Sequence, residues 1–186
     1  MKGMTLFNQK YRVESTRLAG WDYASPGWYF VTICTKNHAC VLGEIIDGEL
    51  RLSAIGQLVA EEWLKSSILR SYIELDHWVI MPNHLHGIII FKEDQPVETP
   101  GAGVSPVPRR TRPPSIGSII GQFKSATSKR VWAAGHRDFG WQARFFDHVI
   151  RNDESQKTIG EYIANNPLKW ELDRYHPGYT PAHTTI

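Results

Sequence analysis

Apolar and polar positions change their period several times along the chain, and each change marks an element. Residues 28 to 37, WYFVTICTKN, are aromatic and β-branched and follow the turn signal Ser25-Pro26-Gly27, which predicts a strand. Residues 41 to 53, VLGEIIDGELRLS, are two short apolar runs around Asp47-Gly48, the pair a type I′ turn favours, and predict a hairpin. From Ser53 the period lengthens. Ile55, Leu58, Val59 and Trp63 recur at three and four residues with Glu61, Glu62 and Lys65 on the other side, an amphipathic helix capped by Ser53. Strand character returns in residues 71 to 91, SYIELDHWVIMPNHLHGIIIF. Pro82 has no N–H for a ladder, so this stretch divides at Met81-Pro82-Asn83 into two strands, the second beginning at the histidines.

Residues 93 to 114 hold six of the eleven prolines, which predicts a mobile proline-rich loop outside the core. SIGSIIGQFKSATSKRVWAA, 115 to 134, reads as a serine-capped helix with Ile116, Ile119, Ile120 and Phe123 as its apolar stripe. WQARFFDHVIRND, 141 to 153, is aromatic and basic with mixed periodicity. A last helix is expected from about Ser155 to near Pro167. The order of strand, hairpin, helix, two strands, loop, helix and helix predicts an α+β fold with a largely antiparallel sheet, in a single domain over residues 1 to 186.

Composition narrows the class. A hydrophobic fraction of 41% with 22% charged residues excludes disorder, collagen and coiled coil as whole-chain descriptions. Cys34 and Cys40 are too few for a disulfide framework and form no metal motif, which suits a reducing compartment. The N-terminal residues lack an apolar signal region, and no run approaches the roughly eighteen apolar residues of a membrane span, so a cytoplasmic protein with no membrane partner is expected. The net charge of +2 conceals an asymmetry: residues 37 to 100 carry four Lys/Arg against ten Asp/Glu, and residues 101 to 151 carry nine against two. The second segment has the balance of a phosphate-binding face, although a solvated basic surface gives the same count.

His84 and His86 are two apart on a predicted strand and therefore share a face, while Leu85 points into the other layer. Unrelated core or surface histidines produce the same pattern, so the flanks decide. Gly87, Ile88 and Ile89 supply no further ligand of an H-x-H-x-D-H hydrolase, and the H-x-E with P-C-x-x-C of a deaminase is absent. A metal site built on this pair must be finished from far away in sequence. In EYIANNP, Tyr162 and Asn166 are four apart and adjacent on one helix face. A phenol with a pKa of about 10 is a weak nucleophile, and a divalent metal held by two imidazoles and an amide oxygen would polarise the phosphate it attacks. A helix aromatic packed on the sheet is the other reading of Tyr162.

MPNHLHGIII, RFFDHVIRND and YIANNP, in this order, resemble the single-tyrosine HUH transposases, especially the REP-associated tyrosine transposases, over roughly residues 28 to 170. The resemblance implies a ferredoxin-like (RRM-like) antiparallel sheet with helices packed on it. It also implies Mg²⁺ or Mn²⁺, single-stranded DNA with a hairpin as substrate, and a covalent 5′-phosphotyrosine intermediate made by a DNA nicking and rejoining enzyme. Carried over by position, Tyr162 is the nucleophile, and His84, His86 and Asn166 are the metal ligands, with Asn165 as the fallback for the last. Tyr175 and Tyr179 lie beyond Pro167, so one nucleophile is expected. Lys124, Arg144 and Arg151 are candidate phosphate contacts, joined by Arg109, Arg110 and Arg112 if the proline-rich loop touches DNA. Trp141, Phe145 and Phe146 are candidate platforms for unpaired bases. A monomer or a homodimer fits the family. The alternatives are a nucleic-acid-binding module that kept the basic face without the chemistry, and a metal-dependent hydrolase of small phosphoesters.

Overall fold

The computed structural model describes residues 18, 20 to 93 and 114 to 179. The predicted proline-rich loop, from 94 to 113, lies outside the described residues, and so do Arg109, Arg110 and Arg112. The elements follow in the order β1 (Gly27–Cys34), β2 (Gly43–Ile46), β3 (Glu49–Leu52), α1 (Ala54–Ile68), β4 (Ile73–Met81), β5 (His84–Phe91), α2 (Ile116–Ala133), β6 (Phe146–Ile150) and α3 (Asp153–Ala164). Short 3-10 turns occupy Lys36–His38 and Pro167–Leu172.

Local chemistry explains most of these boundaries. Asp47 and Gly48 take φ values of 52° and 77°, the two positive angles of a type I′ turn, and β2 and β3 pair around them as a separate ribbon. Ser53 caps α1 by accepting the Gly56 N–H at 3.0 Å, and Asn152 caps α3 by accepting the Ser155 N–H at 2.8 Å. Helix α3 therefore starts at Asp153, two residues earlier than expected, with Asp153 and Glu154 in the first turn where the helix dipole favours anions.

The main sheet has the order β4-β5-β1-β6, with every neighbouring pair antiparallel. With α1 between β1 and β4 and α2 between β5 and β6, this is the ferredoxin-like arrangement that the resemblance implies, with the β2–β3 ribbon inserted before α1. The element absent from the periodicity reading is β6. Its alternation is blurred on both faces, because Asp147 is buried on one and His148 exposed on the other.

Each face of the sheet carries its own core. Tyr29, Val31, Ile33, Leu85 and Ile89 pack with Trp63 of α1 and Ile119, Ile120 and Phe123 of α2. On the opposite face Phe30, Ile88 and Ile150 pack with Ile163 of α3. Strand β5 is covered on both sides, which is why its sequence is a continuous apolar run apart from the two histidines. Among the described residues no helix is long and apolar enough to cross a membrane.

Gly87 matters to this packing. The fully buried Trp63 ring lies over it so closely that a β-carbon at position 87 would sit 2.5 Å from a ring carbon. Gly87→Ala is expected to cost about 1–3 kcal/mol through overpacking. Urea unfolding should show a lower midpoint with an unchanged slope.

Candidate active site

The register of β1 and β5 sets Thr32 opposite His86 and Cys34 opposite His84, at the end of the sheet where β4 turns into β5 through Pro82 and Asn83. His84 and His86 lie on the α3 face and are almost completely buried. Their Nε2 atoms are 3.0 Å apart. Each ring is fixed from behind: the Asn83 side-chain oxygen accepts from His84 Nδ1 at 2.8 Å, and the Thr32 hydroxyl lies 2.8 Å from His86 Nδ1. Asn83 is itself anchored, donating to the backbone oxygens of Tyr175 at 2.7 Å and His38 at 3.2 Å. Second partners of this kind orient imidazoles for metal binding.

Burial is the main force on the charge of both rings. It depresses His84 far below the ordinary histidine range, aided by the neighbouring His86, and pushes His86 down to about 3, with the Arg174 charge adding to the effect. Both imidazoles are therefore neutral near pH 7, the form that ligates metals. With its proton held on Nδ1 by Asn83, His84 Nε2 turns a lone pair toward His86 Nε2 3.0 Å away, a position that a cation or a proton on His86 can fill.

Two oxygen donors complete the surroundings. Asp173 is buried, and one ligand atom each from His84, His86 and Asp173 lie within 4.8 Å of one another. Asn166, also buried, leaves its Oδ1 without a hydrogen-bond partner while its Nδ2 donates to Asp173 Oδ2 at 3.3 Å. Two neutral imidazoles, a carboxylate and an orphaned amide oxygen fit a divalent cation that accepts mixed N/O donors. Asn165 is exposed and donates back to Glu161 O at 2.8 Å.

Tyr162 reaches this centre from α3. Its hydroxyl is 3.2 Å from His86 Nε2, its ring meets Phe30 and His86, and 43% of the residue remains exposed. Burial raises its pKa, with the Asp173 carboxylate adding to the rise and the Asn166 amide and Arg174 pulling the other way. His84, His86, Tyr162 and Asn166 thus come together, and two groups that sequence reasoning missed join them. Asp173 and Tyr175 follow the 3-10 turn after Pro167, which folds the chain back so that the Tyr175 ring centroid is 4.7 Å from that of His84. No helical spacing survives that turn, so sequence periodicity carries no signal for either.

The candidate DNA contacts are dispersed. The Lys124 ammonium donates to the backbone oxygens of Gln142 and Arg144, at 2.8 and 2.9 Å, and burial lowers its pKa to about 8, so it pins the segment leading into β6. Arg144 is exposed just before β6, at the end that faces His86. Arg151 is exposed beyond the opposite end of that strand, whose length is about 13 Å at a strand's rise per residue. Trp141 and Phe145 pack against the α1–α2 core and Phe146 against the α3 core, so all three aromatics are at least partly committed to packing.

No family model matches the chain. An uncharacterized protein of Haemophilus influenzae is 35% identical over 171 residues, covering 88% of this chain and 92% of that one, which makes the two members of one family. A REP-associated tyrosine transposase of Escherichia coli is 22% identical over 163 residues, 83% of this chain and 79% of its own. Among solved structures, a REP-associated tyrosine transposase bound to a REP hairpin matches with a TM-score of 0.58 at 21% identity, covering 88% of this chain and 77% of that chain. That match establishes the shared fold.

Thr32→Val keeps the shape of the residue and removes the hydroxyl behind His86. Calorimetric titration with Mn²⁺ should show affinity reduced about 10–100-fold. Asp173→Asn should weaken binding at least as much, whereas Asn165→Ala should leave it unchanged.

Proposed function

We propose that this chain, which has the fold of the REP-associated tyrosine transposases and resembles one of them in sequence, is a metal-dependent transposase-type enzyme. In this reading it nicks and rejoins single-stranded, hairpin-bearing DNA through a 5′-phosphotyrosine. The observation that carries the reading is the meeting of Tyr162 with the histidine pair, at 3.2 Å from His86 Nε2, across 76 residues of sequence.

His84 and His86 would hold the ion, with Asp173 and the Asn166 Oδ1 as its oxygen donors, and Mg²⁺ or Mn²⁺ suits that donor set. When bound, the ion polarises a phosphoryl oxygen and favours attack at phosphorus. The chain supplies the rest. Tyr162 forms an Oη–P bond as its phenol proton passes to solvent, to which it is partly open; the P–O3′ bond breaks, and the departing 3′ oxygen takes up a proton from solvent. The phosphoester energy is retained in the protein–DNA bond, so a DNA 3′ hydroxyl can reverse the step without ATP. Packing of the Tyr162 ring against Phe30 and His86 orders the nucleophile before substrate arrives, and its partial exposure leaves it open to a strand. This reading uses one tyrosine, because the Tyr162 hydroxyl stands at a histidine nitrogen while that of Tyr175 receives Arg174, and the partner would be single-stranded DNA next to a hairpin.

Incubation with Mn²⁺ and a hairpin oligonucleotide carrying a single-stranded flank should give an adduct that survives denaturing electrophoresis. Tyr162→Phe should abolish the adduct while leaving hairpin affinity within about twofold, and EDTA should abolish it in the unaltered protein. An adduct that persists in Tyr162→Phe would refute the assignment of the nucleophile. Metal-independent hairpin binding without any cleavage would instead identify a binding module.

A further inference from the structure

Over the Tyr175 ring, which lies beside His84, stands a cation that none of the preceding chemistry uses. Arg174 follows Asp173 on the segment that the 3-10 turn folds back over the histidines. Its guanidinium carbon lies 4.7 Å over the Tyr175 ring and 5.8 Å over the Phe146 ring, so two aromatic faces hold it. Nη2 donates to the Tyr175 hydroxyl at 2.5 Å. Among the described residues no carboxylate pairs with it: the adjacent Asp173 receives the Tyr175 N–H on Oδ1 and the Asn166 amide on Oδ2. The residue is exposed, yet its charge bears on His84, His86 and Tyr162 alike. A planar fork held between rings, with N–H groups uncommitted and the Tyr162 phenol within reach of its charge, is suited to a phosphate oxygen.

We propose that Arg174 is a catalytic residue of this site, its guanidinium gripping a non-bridging oxygen of the scissile phosphate while Tyr162 attacks. The inference rests on the tyrosine-transfer reading given above. As the Oη–P bond forms and the P–O3′ bond breaks, negative charge accumulates on the non-bridging oxygens, and a guanidinium already in place stabilises it without reorganisation. The contact to Tyr175 gives that residue a role as well, a positioning residue that aims the fork rather than a second nucleophile.

The test uses the full chain, Mn²⁺, and two hairpin oligonucleotides: one with an ordinary scissile phosphodiester, the other with a methylphosphonate there, which replaces one charged oxygen by methyl. On the phosphodiester at saturating Mn²⁺, Arg174→Ala is expected to slow adduct formation about 100–1,000-fold, with hairpin affinity within about twofold of the unaltered protein. Arg174→Lys should fall between the two, keeping the charge without the fork. On the methylphosphonate the gap between the unaltered protein and Arg174→Ala should shrink to less than about threefold, because the oxygen that Arg174 neutralises is gone. An equal gap on both substrates, or no loss on the phosphodiester, overturns the assignment of Arg174 and leaves the tyrosine reading standing. Absence of any adduct from the unaltered protein on either substrate overturns both.

Discussion

Two imidazole nitrogens 3.0 Å apart in a buried setting are the constraint around which the rest of the molecule is arranged. Burial keeps both rings neutral, and neutrality makes the pair a donor set for a cation. Neither ring can rotate away, since Asn83 and Thr32 hold the outer nitrogens, Thr32 being fixed by the sheet and Asn83 by the backbone oxygens of Tyr175 and His38. The antiparallel register is thus part of the chemistry: slipping β1 by one residue against β5 would remove Thr32 from behind His86 and turn its side chain to the other face.

The same pair needs a helix over it that packs closely without sealing it. A bulge in β4 between Leu75 and Trp78 brings Asp76 and His77 up to α3. Asp76 accepts from Gln156 at 2.6 Å on one oxygen and lies 2.8 Å from His77 Nδ1 on the other. Gly160 lets the helix come down onto the His77 ring, where a β-carbon would be 3.2 Å from Nδ1. Two residues further along, Tyr162 meets His86. The height of α3 above the sheet, set at the bulge, therefore decides whether the phenol reaches the histidines, and the 3-10 turn that follows brings Asp173, Arg174 and Tyr175 to the same point.

Much of this was legible in the sequence because it depends on local rules. The Asp47-Gly48 turn, the Ser53 cap and the break at Pro82 each follow from backbone chemistry of one or two residues, and all three appear where that chemistry puts them. The shared face of His84 and His86 follows from the period of a strand, and the pairing of Tyr162 with Asn166 from that of a helix. Strand β6 escaped because a buried Asp147 and an exposed His148 break its alternation. Asp173 and Tyr175 escaped for another reason. They enter the site through a tertiary reversal after Pro167, and no periodicity spans a reversal. Lys124 illustrates a third limit: the sequence gives its charge but not that two backbone carbonyls occupy it.

The reversal that brings Tyr175 beside His84 places two phenols near one pair of imidazoles. Only Tyr162 has its hydroxyl at a histidine nitrogen, whereas the hydroxyl of Tyr175 is engaged by Arg174. The most direct measurement is tandem mass spectrometry of a proteolytic digest after reaction with a hairpin oligonucleotide and Mn²⁺. The expected result is a nucleotide bonded to Tyr162 and to no other residue. A nucleotide on Tyr175, or on any side chain outside α3, would contradict it.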